Sequence, residues 1–149
     1  MRAMHAAILL AALAAVAMVP VAQAACQPNQ KTVFRCTTAQ GKAIEVCDAG
    51  AAIEYAFGRP QGKPEIVVSQ PRASVTTYQW QGIGRTQSYT VNIPNGDTVY
   101  SVYDTYDSID QKQESGVVVE IKGRQVATVK CSGRDTVSHI QGITLRPAQ

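Results

Sequence analysis

Histidine is nearly missing from this chain: His5 and His139 are the two in 149 residues. His5 falls within an apolar leader, so His139 stands alone in the remainder and a histidine-rich metal site is excluded. Concentrated positive charge is missing as well. After Arg2, the basic residues are scattered singly from Lys31 to Arg146. No run can track a phosphate backbone, and nucleic acid is not an expected partner. The chain has no internal repeat, no low-complexity linker and no G-x-S-x-G nucleophile elbow. Beyond the leader, no apolar stretch approaches the roughly 20 residues a membrane span needs. No membrane span, cofactor or metal is therefore expected.

What is present begins with the leader. Met1 and Arg2 form a short positive start, residues 6–19 are apolar, Pro20 breaks the run, and Ala22-Gln23-Ala24 offers small residues for cleavage. Residues 1–24 are expected to be a cleaved signal peptide, which places the rest in the periplasm or outside the cell. An uncleaved anchor is disfavoured by the short run and its helix breaker. A lipoprotein is disfavoured by Gln23 three residues before Cys26, where an aliphatic residue is wanted. Without the leader, 125 of the 149 residues remain, enough for one domain with a small core. Arg2 leaves with it, so 13 of the 14 Lys and Arg face 11 Asp and Glu, a net charge of about +2.

Residues 25–149 read as short β segments with turn residues between them. Residues 33–38 and 43–47 form a first hairpin, and Gly41-Lys42 suits a two-residue loop with glycine first. That register sets Cys36 opposite Cys47, within reach of a disulfide, and leaves Cys26 to pair with Cys131. The rival pairing is Cys36–Cys131 with Cys26–Cys47, because a loop of another length moves Cys36 off Cys47. Either pairing suits an oxidising compartment and makes a zinc site improbable.

Residues 87–93 alternate, and Pro94-Asn95-Gly96 suits a type I turn with a glycine bulge, pairing Val91 with Val99 and Tyr89 with Ser101. In that register Tyr100 and Val102 share a polar face with Ser88, Thr90 and Asn92. A third hairpin runs over 116–121, turns at Lys122-Gly123 and returns to Cys131, with its register open. Weaker strands fall at 53–57, 65–68 and 74–80, and one short helical turn at 136–140. The fold class expected is all-β: an antiparallel sandwich or small barrel of eight or nine short strands, stapled by two disulfides.

Few side-chain groups carry chemistry. His139 with Asp135 and a serine is a triad in composition alone, and a lone surface histidine is the simpler reading. Asp104, Asp107, Asp110 and Glu114 lack the alternating pattern and central glycine of a calcium loop, and read as a solvated connection. Tyr100 and Tyr106 beside small polar residues have the make-up of a binding surface. Residues 80–85, Trp80 to Arg85, form either a recognition loop or, more simply, a turn with Trp80 in the core.

Two stretches carry a family likeness: Phe34-Arg35-Cys36, an aromatic-x-Cys strand after the leader, and Ala127-Thr128-Val129-Lys130-Cys131, a late strand ending on cysteine. In these, in size and in strand count, the chain resembles the bacterial periplasmic and membrane-bound lysozyme inhibitors. That family inserts an S-G-x-x-Y loop into the lysozyme cleft. Here Ser115-Gly116-Val117-Val118-Val119 and Ser132-Gly133-Arg134-Asp135-Thr136 keep Ser-Gly and lack the tyrosine. The resemblance implies that Ser132, Gly133 and Arg134 engage the paired carboxylates of a muramidase cleft. The expectation is an exported non-catalytic binding protein whose partner is a lysozyme-type hydrolase or another envelope protein. The alternatives are a carrier of a small apolar ligand and an envelope scaffold module.

Overall fold

A computed structural model describes residues 26–149, and the expected signal peptide, residues 1–24, lies outside the described residues. Eleven strands follow in order: β1 (Lys31–Thr37), β2 (Ala43–Asp48), β3 (Ala52–Gly58), β4 (Ile66–Pro71), β5 (Thr76–Gln79), β6 (Thr86–Asn95), β7 (Thr98–Asp107), β8 (Lys112–Ile121), β9 (Arg124–Lys130), β10 (Val137–Ser138) and β11 (Arg146–Pro147). One 3₁₀ turn, Arg72–Ser74, precedes β5. The strands form a five-stranded sheet in the order β10-β1-β2-β3-β4 and a six-stranded sheet in the order β11-β5-β6-β7-β8-β9. The expected all-β fold with two disulfides is what the chain adopts, and the short pairs β10 and β11 bring the strand count above the nine anticipated. Val137–Ser138 is strand against β1, where a helical turn was expected.

Side chains alternate across a strand, so one face of each sheet carries the apolar set. Phe34, Cys36, Ile44, Val46, Ile53, Tyr55 and Val68 come from the first sheet. Val91, Ile93, Tyr100, Val102 and Val117 come from the second, and Val75 and Ile140 close the ends. Tyr55 of β3 stacks on Tyr100 of β7, with ring centroids 4.8 Å apart, which joins the sheets at the middle of the core. Burial pushes the Tyr55 phenol well above its ordinary pKa of 10, with Tyr100 adding to it, so the ring stays neutral.

Two registers differ from those expected, and each difference turns faces over. The β1–β2 loop spans residues 38–42 and is closed by the Thr38 amide donating to the Lys42 carbonyl at 2.8 Å. Cys36 therefore faces Ile44, not Cys47. Cys36 points into the core while Cys47 points to the outer face, so a Cys36–Cys47 bond is geometrically closed. The disulfides are Cys26–Cys47 and Cys36–Cys131, which corrects the favoured pairing in favour of its rival. The β6–β7 hairpin turns on Gly96-Asp97, with Gly96 at φ +59°, and pairs Asn95 with Thr98. Val91 accordingly meets Val102, and Tyr100 and Val102 lie in the core rather than on the polar face. The third hairpin closes on Lys122-Gly123 with φ of 51° and 73°, the pair of positive values that a type I′ turn requires.

The two crosslinks close loops of unequal length, 95 residues for Cys36–Cys131 and 21 for Cys26–Cys47. Chain entropy alone gives about 4.7 and about 3.3 kcal/mol for loops of those lengths. Non-reducing peptide mapping is expected to recover these two linkages. Urea unfolding is expected to show the Cys36→Ala/Cys131→Ala pair losing more stability than the Cys26→Ala/Cys47→Ala pair. A larger loss from the latter would show that the short crosslink holds more of the fold than its loop length accounts for.

Candidate functional site

The register of the second sheet sends three connections out at one end: residues 80–85, 108–111 and 131–136. The first two are tied by Arg85. Its Nε donates to both Asp107 carboxylate oxygens at 3.0 and 2.8 Å, and its Nη2 donates to Asp110. The Ser108 amide adds a bond to the Arg85 carbonyl. The guanidinium beside Asp107 holds its carboxyl below the usual carboxylate range. Ile83, at 85 % exposure, and Ile109, at 67 %, stand out from these two loops.

The third connection is stapled at its root. Cys131 is bonded to Cys36 and forms a bridge with Thr38. The Ser132 amide donates to the Thr37 carbonyl at 2.7 Å. Asp135 accepts from the Thr37 amide at 3.0 Å and from the Thr37 hydroxyl, and these bonds lower its carboxyl pKa. Ser132, Gly133 and Arg134 are exposed between these fixed points, and Gly133 takes the left-handed φ of +83° that the bend needs. Arg134 forms no ion pair among the described residues.

The remaining sequence candidates separate. Tyr100 is core, while Tyr106 is 39 % exposed near the loop-bearing end of β7. The tyrosines paired on the face of Ser88, Thr90 and Asn92 are Tyr78 and Tyr103. Trp80 is half-buried and its Nε1 donates to the Ile83 carbonyl at 2.9 Å, bracing the loop instead of filling the core. His139 Nδ1 meets the Thr32 carbonyl at 2.8 Å, and Asp135 is held by Thr37, so the two do not form a relay. Ser115-Gly116 is strand: Ser115 is buried, and a Cβ on Gly116 would lie 2.2 Å from the Val129 carbonyl oxygen. In the acidic stretch, Asp104 accepts from Gln113, and Glu114 pairs with Lys112 and Lys130.

One feature escaped the sequence reading. The outer face of the first sheet holds a cleft of about 240 Å³ whose floor is Ala43, Glu45, Cys47, Glu54, Ala56 and Val67. Cys26–Cys47 pins one wall over the sheet, and Gln30 Nε2 donates to Glu54 at 2.9 Å. The β3–β4 connection, with Arg59, Pro60 and Pro64, makes the other wall. Burial raises the Glu45 carboxyl above its ordinary pKa of 4.5, and the charge of Arg35 across the strand pair opposes the shift.

No described protein family, curated protein or solved structure matches the chain. Among the described residues, no helix is long and apolar enough to cross a membrane, and no group of three or more His, Cys, Asp or Glu could hold a metal ion. The two disulfides suit an oxidising compartment.

A carboxyl whose pKa is raised by folding favours the fold when protonated and disfavours it as pH rises through the folded value. Glu45→Gln is therefore expected to gain under about 1 kcal/mol at pH 7, the modest size reflecting partial exposure. The gain should close as the pH falls to the ordinary value of 4.5. Urea unfolding of both proteins at pH 7 and pH 4 measures this, and an equal loss at both pH values would refute it.

Proposed function

We propose that this is an exported, non-catalytic binding protein, acting in the periplasm or outside the cell, that grips a protein partner with its loop-bearing end. One observation carries the reading. Ile83, Ile109 and Arg134 are presented to solvent on loops whose roots are fixed by Arg85, by Asp135 and by the Cys36–Cys131 bond. Solvent-exposed apolar side chains and an arginine without an ion pair, presented from one end of a sheet, are groups from which interface anchors are made. Loops already held in place lose little entropy on docking.

The partner we propose is a lysozyme-type cell-wall hydrolase, with Arg134 directed at the paired carboxylates of its cleft. The chain's resemblance to lysozyme inhibitors and the exposed Ser132-Gly133-Arg134 segment support this choice. The apolar-carrier alternative draws less support, because Phe34, Tyr55, Tyr100 and their neighbours fill the space between the sheets.

The oxidised protein without residues 1–24 is expected to inhibit one lysozyme type at one-to-one stoichiometry. Arg134→Ala should weaken that inhibition about tenfold or more, the cost of removing a buried charge-assisted contact. Glu45→Gln, on the opposite face of the other sheet, should leave it unchanged. Absence of inhibition across a panel of lysozyme types would remove the hydrolase from the proposal. Partner capture from envelope extract that survives Ile83→Asp and Arg134→Ala together would remove the loop-bearing end.

A further inference from the structure

The cleft on the outer face of the first sheet is separate from the loops just described, and its construction is specific. An outward sheet face ordinarily carries polar side chains that fill the space above it. Here Glu45 and Glu54 stand diagonally across the β2–β3 pair, with Ala56 and half-cystine Cys47 at the two positions between them and Ala43 next to Glu45 on its other side. These small groups leave depth where long side chains would close it. Both walls are fixed. The Cys26–Cys47 bond holds the first. In the second, the Glu65 amide donates to the Phe57 carbonyl at 2.9 Å, and Gly58 takes φ +152° where a Cβ would lie 2.8 Å from the Glu65 nitrogen.

The charges facing the cleft are Glu45 and Glu54 at the floor and Arg59 on the wall. Glu54 is steadied by Gln30, whereas Glu45 has no such donor among the described residues, and burial raises its carboxyl pKa against the charge of Arg35. Its carboxylate is thus partly withdrawn from water without a fixed donor. Two further cations lie near the cleft without lining it: Arg35 is the cross-strand neighbour of Glu45, and Lys42 is turned to Glu65 at 2.8 Å and lies over the Phe57 ring. The cavity of about 240 Å³ falls below the roughly 300–1,000 Å³ of sites for larger ligands. It holds one side-chain-sized group.

We propose that this cleft is a binding site for an aliphatic ammonium or guanidinium group, its stem on Ala43, Ala56 and Val67 and its charge at Glu45 and Glu54. The bound cation supplies the donors that Glu45 lacks, and the methyl and methylene surface supplies the contact that a bare metal ion would not use. The site does not depend on the loop-bearing end.

Titration of the isotope-labelled oxidised protein with agmatine, with a Gly-Gly-Arg-Gly-Gly peptide and with N-acetyl-norleucine amide tests the assignment by amide chemical shifts. The two cations are expected to shift Ala43, Ala56 and Val67 saturably. The neutral norleucine probe should bind about tenfold more weakly or worse, as expected for loss of a charge-assisted bond. Glu45→Gln should weaken cation binding by a similar factor, and Ala56→Leu should abolish it by filling the floor while leaving both carboxylates in place. Arg134→Ala should bind as the parent does, which separates this site from the inhibitor proposal. Tighter binding of the peptide would assign the site to a partner's basic side chain, and tighter binding of agmatine to a free amine. Equal binding of the norleucine probe, shifts mapping elsewhere, or no saturation by about 10 mM would overturn the proposal.

Discussion

The bond between Cys36 and Cys131 is the constraint on which the arrangement of the two sheets depends. Cys36 occupies a core position of β1, and Cys131 follows the last residue of β9, so the bond ties the first sheet to the far edge of the second. At the opposite edge the sheets are joined by the chain itself, passing from β4 through the 3₁₀ turn to β5. Between these two closures lies the stack of Tyr55 on Tyr100. Apolar burial supplies the drive to bring the sheets together, but it is non-directional. The crosslink selects which edges meet. A domain of this size buries a limited share of its surface, so such a constraint adds appreciably to a small core.

The second bond does a different job. Cys26–Cys47 adds nothing between the sheets, because Cys47 points outward. It lays the first described residues across the outer face of β2 and so creates a wall where an open sheet would otherwise meet water. One crosslink thus fixes the loop-bearing end, and the other fixes the cleft. Exchanging partners, as the favoured sequence reading did, would remove both features at once.

That exchange shows where the sequence is legible and where it is not. Alternation at Ile44 and Val46, at Ile53 and Tyr55, and at Val91 and Ile93 identified strands and fold class correctly, because burial of one face imposes period two on the chain itself. Register is set by loop length, and several loop lengths share the same residues. Gly41 fits a two-residue loop, yet the Thr38–Lys42 bond closes a longer one. Gly96 fits a bulge, yet it opens a two-residue turn. Each odd shift carries side chains to the other face, which moved Tyr100 from a supposed surface into the core. The cleft left no local signal, since Ala43 and Ala56 are unremarkable in isolation. Its depth arises from a pairing between Cys26 and Cys47 that alternation does not encode.

Charge is distributed in the same selective way. Arg85 answers Asp107 and Asp110, Arg72 answers Asp48, Lys42 answers Glu65, and Lys112 and Lys130 answer Glu114. Such exposed pairs contribute little stability individually, but they remove their members from competition for a partner. Arg134 and Glu45 are outside this set, and each stands on a rigid support, with opposite sign and on different parts of the molecule. His139 and Asp135 are committed to backbone groups of β1, at Thr32 and at Thr37, and brace the fold where a relay would have to move a proton. His139 and Asp135 thus serve the fold through β1, whereas Arg134 and Glu45 form no ion pair among the described residues.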